Sequence, residues 1–469
     1  MKSMQFLCVH GHFYQPPREN PLTGVIPYEP GAYPYPNWNE RIHTECYLPN
    51  ADLSNFEHIS FNIGPTLCAW LASNHPDTLQ KIIAQDRVNV KRFGLGNAIA
   101  QPYNHTILPL ANRRDKVTQI RWGLVDFEYR FGRRPQGMWL PEAAVDMETL
   151  ETLADQDISF TILAPWQADR KEFDVTHPYQ VHLSNNRKIA VFFYHQDLSS
   201  GISFNPTLTT NADQFALYEL LPKYSKIKGY NQRPQIILLA SDGELYGHHQ
   251  PMRDYFLSHL VNGASENAGL TPIFPALWLQ RYPPDEMIPI RENTSWSCHH
   301  DLNRWRGMCD CSPGDGVWKT MLRRAFDSLA DKLDGLYEKE VATFIADPWS
   351  LRNEYIYVIL GVREVDDLIS EAAGRYLPAE VNARISLLLR AQLERQRMYT
   401  SCGWFFGDFD RIEPKNNVAY AAQAVRLALM ATGVDLSREL RRDLSRVFSP
   451  RTGLNGEKVL ANCLRLGDN

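Results

Sequence analysis

The chain has 469 residues, too many for one ordinary domain, and its 44% hydrophobic and 22% charged residues suit a globular protein with large cores. A formal net charge of -5 gives no general drive toward nucleic acid or anionic membranes, so neither is expected as a partner. Nothing approaches the ~18 apolar residues that span a bilayer, and the run Phe6–Val9 is too short for a signal-peptide core, which makes a cytoplasmic protein the expectation.

Taken in chain order, short apolar segments end in polar residues and lead into helical patterns. Phe6–Val9 predicts a strand ending at His10 and His12. Ile59–Ile63 predicts another, followed through Gly64 and Pro65 by a helix carrying Leu67, Trp70 and Leu71. Val117, Ile120, Leu124, Phe127 and Phe131 repeat at helical spacing. "GMWL" reads as a strand ending at Pro141 and Glu142, and a helix from about Asp146 feeds the strand "ISFTILA". Lys188–Tyr194 ends at His195, and Ile236–Ala240 ends at Asp242. Strands alternating with helices predict parallel βα units, and polar groups gathered at strand C-terminal ends are what a β/α barrel active site requires. "GLGNAI" lacks the third glycine of a dinucleotide fingerprint, and no cofactor is expected. From about Ala276, beyond a barrel over 1–275, helical patterns dominate to the end of the chain, giving a helical domain over 276–469. The chain stops at "LRLGDN" without a clear closing element, so further natural sequence is an open question.

Glu142 and Asp242 lie at two such strand ends, Glu142 close to Trp139, and Gly243 is expected to let the chain turn sharply. Two carboxylates from separate strands facing one cleft are the minimum equipment for cleaving a glycosidic bond, one ionised and one protonated. For either residue alone, the competing reading is a helix cap or a partner for arginine. The 11 Trp, 21 Tyr and 21 Phe exceed what packing alone recruits, and rings laid against sugar faces are one use for them, large cores the other.

These segments together resemble glycoside hydrolase family 57, made of retaining enzymes active on α-glucans, in a divergent branch with an extended helical C-terminal domain. "HGHFYQPP" resembles its first motif and implies roles for His10, His12 and Gln15. "GLGNAIAQPYNHTILPL" resembles the segment around its second and implies sugar contacts from Asn97, Tyr103 and His105. Ala98 departs from the glutamate that the family carries there, which leaves one sugar contact unaccounted for. "GMWLPE" matches the third motif, which implies Glu142 as nucleophile, with Trp139 beside it. "SDGELYGHH" matches the fourth, which implies Asp242 as general acid/base, with Glu244 bracing the loop or binding a hydroxyl and His248 close by. "TSWSCHHDLNRWRG" loosely matches the fifth, so Trp296, Arg304 and Trp305 suit a substrate-facing loop. "SCGWFFGDFD" resembles a helical segment that lays an aromatic across the site, making Trp404 and Asp408 sugar contacts, unless Trp404 is core.

The resemblance implies an α/β fold, an incomplete (β/α)7-type barrel followed by a mainly α-helical C-terminal domain packed on the barrel mouth. It implies a retaining hydrolase or transglycosylase of amylase or 4-α-glucanotransferase type, with an oligosaccharide or polysaccharide as partner. A catalytically weakened carbohydrate-binding protein and a metal-dependent mannosidase or deacetylase on a related barrel are the alternatives. The mannosidase needs an aspartate where this chain has His12, and the deacetylase needs a His-x-x-x-His that it does not show. His10 and His12 are expected to face the cleft together only if their strand twists or ends there, with His195 at a neighbouring end. Cys298, His299, His300, Cys309 and Cys311 form the densest potential ligand cluster, but the spacing is not that of a zinc knuckle, and reduced structural thiols are the expectation. No metal is assigned, and the oligomeric state is not legible.

Overall fold

The computed structural model describes residues 4–227, 229–312 and 314–467. Its strands are β1 (Gln5–Phe13), β2 (Ser60–Ile63), β3 (Phe160–Leu163), β4 (Tyr179–His182), β5 (Lys188–Phe193), β6 (Gln235–Asp242) and β7 (Thr271–Pro272). β1 pairs in parallel with β2, β6 and β7, and β3 pairs in parallel with β5. Strands buried on both faces need no polar alternation, which is why "QFLCV" and "IILLA" read as unbroken apolar runs. β4 departs from the expected pattern, since it runs antiparallel to β5.

"GMWL" does not form a full strand. Isolated parallel bridges link Phe61 to Ala98, Ala100 to Met138 and Gly137 to Phe160, carrying the pairing from β2 to β3. The His195 amide donates to the Leu238 carbonyl at 2.7 Å, which links the end of β5 to β6. A Cβ on Gly137 would lie 2.3 Å from the Phe160 ring, so this approach admits only glycine. Phe6, Cys8, Trp139, Phe160, Phe192 and Trp278 belong to one buried core between these segments.

The chain divides into two compact units. The first holds Met1–Pro17, Tyr28–Tyr103 and Phe127–Trp296, and the second holds Arg18–Pro27, Asn104–Asp126 and Ser297–Asn469. After the helix Pro275–Arg281 the chain is extended rather than helical: Met287, Ile290 and Thr294 make bridges to Gln180, Ala168 and Val145 within the first unit.

The second unit is built on the helices Val317–Val341, Ala379–Arg397 and Ile412–Thr432. Buried charges there are paired: Asp115 accepts from Arg352 and Arg395, and Arg395 also reaches Asp334 at 2.8 Å. Trp404 is fully buried, its indole donates to the Lys319 carbonyl at 3.3 Å, and the Arg323 guanidinium lies over its ring at 4.3 Å. Trp305 is equally buried. Both tryptophans are thus core residues of this unit rather than exposed platforms. Trp404→Ala is expected to cost about 3–5 kcal/mol of folding stability, read from denaturant unfolding of the variant. A loss below about 1 kcal/mol would show that the ring is not holding this core together.

Candidate active site

The site of the first unit starts from a row of neighbours across three strands. In the β1 register His12 lies beside Asn62 of β2 and beside Asp242 of β6. His10 lies one step back, beside Ser60 and Ala240. The strand needs no twist or ending for both histidines to share a face, because residues two apart stand on the same side of a strand. Both rings stack on Trp139, with centroids 4.9 and 5.2 Å away.

Polar neighbours fix these rings. His10 Nδ1 lies 3.0 Å from Ser60 Oγ and its Nε2 3.3 Å from Asn62 Oδ1, so both ring nitrogens have partners in the chain. Asn62 also lies within hydrogen-bond distance of His12 Nδ1, and its amide donates to Gln101 Oε1 at 2.7 Å. Burial pushes His10 down to about 3, helped by His12, and burial pushes His12 down to about 4. Both imidazoles are therefore neutral near pH 7 and add no positive charge.

Glu142 follows the bridge at Met138 through a tight turn. Glu142 has φ 57° and Ala143 φ 46°, two successive left-handed residues without a glycine between them. Each such residue costs about 1–3 kcal/mol and persists only where its surroundings hold it. Here the Gln167 amide donates to the Ala143 carbonyl at 2.7 Å, and the Trp296 amide donates to the Glu142 carbonyl at 3.0 Å. The Trp296 indole donates to Glu142 Oε2 at 3.1 Å, so one residue holds both the backbone and the carboxylate.

Asp242 ends β6, and Gly243 opens the turn after it. This glycine does not adopt a left-handed conformation, contrary to a sharp-turn role. Its requirement is space, because a Cβ would lie 2.4 Å from the Phe13 ring. Burial, and then the Glu142 charge, push the Asp242 carboxyl up to about 7. Its side chain is nevertheless exposed, so water moderates the burial contribution, and the upward direction rests on the neighbouring negative charge as well. Glu244 is buried. It accepts from the Tyr47 hydroxyl at 2.7 Å and the Tyr14 amide at 3.0 Å, bracing the loop. Burial and the Asp242 charge push Glu244 up to about 8.

The remaining expected residues are spread more widely. The Asn97 amide is taken up by the Phe56 and Ile59 carbonyls, while its oxygen accepts from Asn89 at 3.0 Å, so its side chain is consumed in holding a loop. Tyr103 is buried in the first unit. The Gln15 carbonyl accepts from Thr66 at 2.6 Å. His248 pairs with Glu45. His195 caps the helix Gln196–Phe204 through its ring, and burial followed by the Lys223 charge lowers its pKa. His105, Arg304, Trp305, Trp404 and Asp408 belong to the second unit. His105 is buried with Nδ1 2.6 Å from Ser401 Oγ, Arg304 donates to the Ser297 carbonyl at 2.9 Å, and Asp408 accepts from the Asp410 amide at 2.8 Å.

Sequence reasoning missed Asn62, Gln101 and Tyr47. Gln101 follows the short apolar segment Ala98–Ala100 and Asn62 lies one residue before the end of the run Ile59–Ile63, but neither carries a charge to draw notice. Tyr47 sits in a helical stretch far from any strand end and left no signal. Among the described residues, His, Cys, Asp and Glu side chains gather at metal-ligand spacing in two places, neither containing Glu142 or Asp242.

Parallel strands with two neutral histidines and an acid at one end, and a second acid whose charge acts on the first, define an α/β protein with an acidic site at its strand ends. Residues 34–291 match Glycosyl hydrolase family 57, and residues 316–465 match a domain of unknown function, DUF3536. The chain belongs to glycosyl hydrolase family 57. It is 27% identical over 277 residues to alpha-amylase 1 of Dictyoglomus thermophilum, a match covering 55% of this chain and 38% of that protein. The match thus spans well under half of that relative's length. In fold, the chain is similar to an exo-type maltose-forming amylase from Pyrococcus sp. ST04, with TM-score 0.75 at 14% identity over 98% of this chain and 88% of that one. It is also similar to a branching enzyme from Pyrococcus horikoshii, with TM-score 0.61 at 14% identity over 99% of this chain and 94% of that one.

Proposed function

We propose that this chain is a retaining glycoside hydrolase or transglycosylase acting on α-linked glucans, built on an incomplete (β/α)7 barrel. The observation that carries the reading is the pair of acids: burial and then the Glu142 charge push Asp242 toward its protonated form. One ionised carboxylate to attack and one carboxyl still holding its proton are what a double displacement needs. The Glu142 oxygen attacks the anomeric carbon as the Asp242 proton passes to the departing glycosidic oxygen. The resulting glycosyl ester is then opened by an acceptor whose proton returns to Asp242. Water as acceptor gives hydrolysis, and a sugar hydroxyl gives transfer.

The name of the Dictyoglomus relative supports the α-glucan assignment. Incubation with a panel of maltooligosaccharides and α-glucans tests the reading. Release of reducing ends or redistribution of chain length is expected, whereas binding with neither change would make the protein a carbohydrate binder. Loss of activity on chelation with the thermal unfolding transition unchanged would favour a metal-dependent reaction instead.

A further inference from the structure

The second unit contains a group of side chains that this chemistry does not use. Cys298, His300, Cys309 and Cys311 bring four donor atoms within 4.8 Å of one another. Cys298 Sγ lies 3.5 Å from Cys309 Sγ, and His300 Nδ1 lies 3.4 Å from Cys309 Sγ and 3.3 Å from Cys311 Sγ. In a tetrahedral zinc centre with Zn–S about 2.3 Å and Zn–N about 2.0–2.1 Å, the edges are about 3.8 Å between sulfurs and about 3.6 Å between sulfur and nitrogen. The three separations fall within a few tenths of an ångström of those edges. We propose that Cys298, His300, Cys309 and Cys311 form a structural zinc site.

The surroundings fit the charge of such a centre. Zinc with three thiolates and a neutral imidazole carries one net negative charge, each thiol giving up its proton on binding. Lys319 is 1% exposed, and its ammonium donates to the Arg304 carbonyl at 3.0 Å and to Ser312 Oγ at 3.1 Å. Among the described residues no carboxylate pairs with it, and a buried ammonium without an anion is costly. Arg304 adds a second cation, donating to the carbonyls of Ser297, just before the first cysteine of the set, and of Cys311, the last. An anionic metal centre supplies a counter-charge that, among the described residues, no carboxylate provides to either cation.

The backbone points the same way. Directly after His300, Asp301 has φ 49° and Leu302 φ 63°, a left-handed pair that the leucine side chain disfavours. Four protein ligands leave no open position, so the metal would hold the segment ahead of the helix Val317–Val341 rather than activate water. Three sulfurs and one imidazole select zinc over calcium or magnesium, which take oxygen ligands. The spacing Cys-x-His-x8-Cys-x-Cys lies outside the common knuckle patterns, which is why the sequence reads as plain thiols.

Metal analysis of the full chain, purified under reducing conditions without chelator, tests the site. About one zinc per chain is expected. The metal-free chain titrated with cobalt(II) should develop the thiolate charge-transfer and visible bands of a tetrahedral centre, bleached by one equivalent of zinc. Cys309→Ser should lose the bound zinc, while Cys402→Ser, outside the cluster, should keep it. The cobalt titration uses the unaltered chain, so misfolding of a variant cannot obscure the result. Zinc below about a tenth per chain with no cobalt bands would overturn the proposal, as would an intact mass two hydrogens light with Cys298 joined to Cys309.

Discussion

Glu142→Gln is expected to lower turnover on maltooligosaccharides by at least about 10³-fold while leaving the fold intact. The carboxamide has the size of the carboxylate but cannot form the glycosyl ester. Gln faces the same left-handed backbone demand as Glu, and the contacts holding that turn run through the Trp296 and Gln167 amides, so thermal unfolding should change little. The change also removes the charge that raises Asp242. Titration of the Asp242 carboxyl in the variant, followed by carbon NMR, should therefore show a lower pKa than in the unaltered protein. A residual rate within tenfold of the original, a loss of only about 1.4 kcal/mol in transition-state stabilisation, would remove Glu142 as nucleophile.

The strand ends were legible because buried parallel strands show as apolar runs that stop at polar residues. β1, β2, β5 and β6 appear where those runs predict them, with His10 and His12 late in β1, His195 just past β5 and Asp242 closing β6. Weaker pairing escaped the pattern. "GMWL" makes only isolated bridges, and β4 and β7, of 4 and 2 residues, carry too little periodicity to register. Burial was the harder question. Trp404 and Trp296 both follow small residues in "SCGW" and "TSW", yet one is core and the other donates to a carboxylate. Sequence type alone cannot separate a ring in a core from a ring beside an acid. The Cys298 cluster was hidden for another reason. Its closure depends on left-handed residues that are Asp and Leu, so no glycine marks the turn that brings His300 to the cysteines.

Asp242→Asn is expected to cost about 10²–10⁴-fold on substrates whose leaving group is a sugar, the range for loss of a positioned proton donor. An aryl glycoside with an acidic phenol departs without needing that proton, so its first step should be much less affected. The pH profile separates a proton donor from a residue that merely shapes the pocket. Burial and then the Glu142 charge push the Asp242 carboxyl up to about 7, so its acid form persists up to about that pH. As pH rises through that value the proton is lost, and kcat/KM of the unaltered protein should fall along an alkaline limb. Asparagine has no proton to lose there, so the variant's residual kcat/KM should be flat over the same window. Equal damage on both substrates, or an alkaline limb that survives in the variant, would assign that limb to another group. Glu244 is the candidate then, because its carboxyl is pushed up to about 8 by burial and by Asp242 itself. The two acids differ in what they can reach: Glu244 is buried and accepts from Tyr47 and the Tyr14 amide, whereas Asp242 is exposed at the strand end, open to a bond being cleaved.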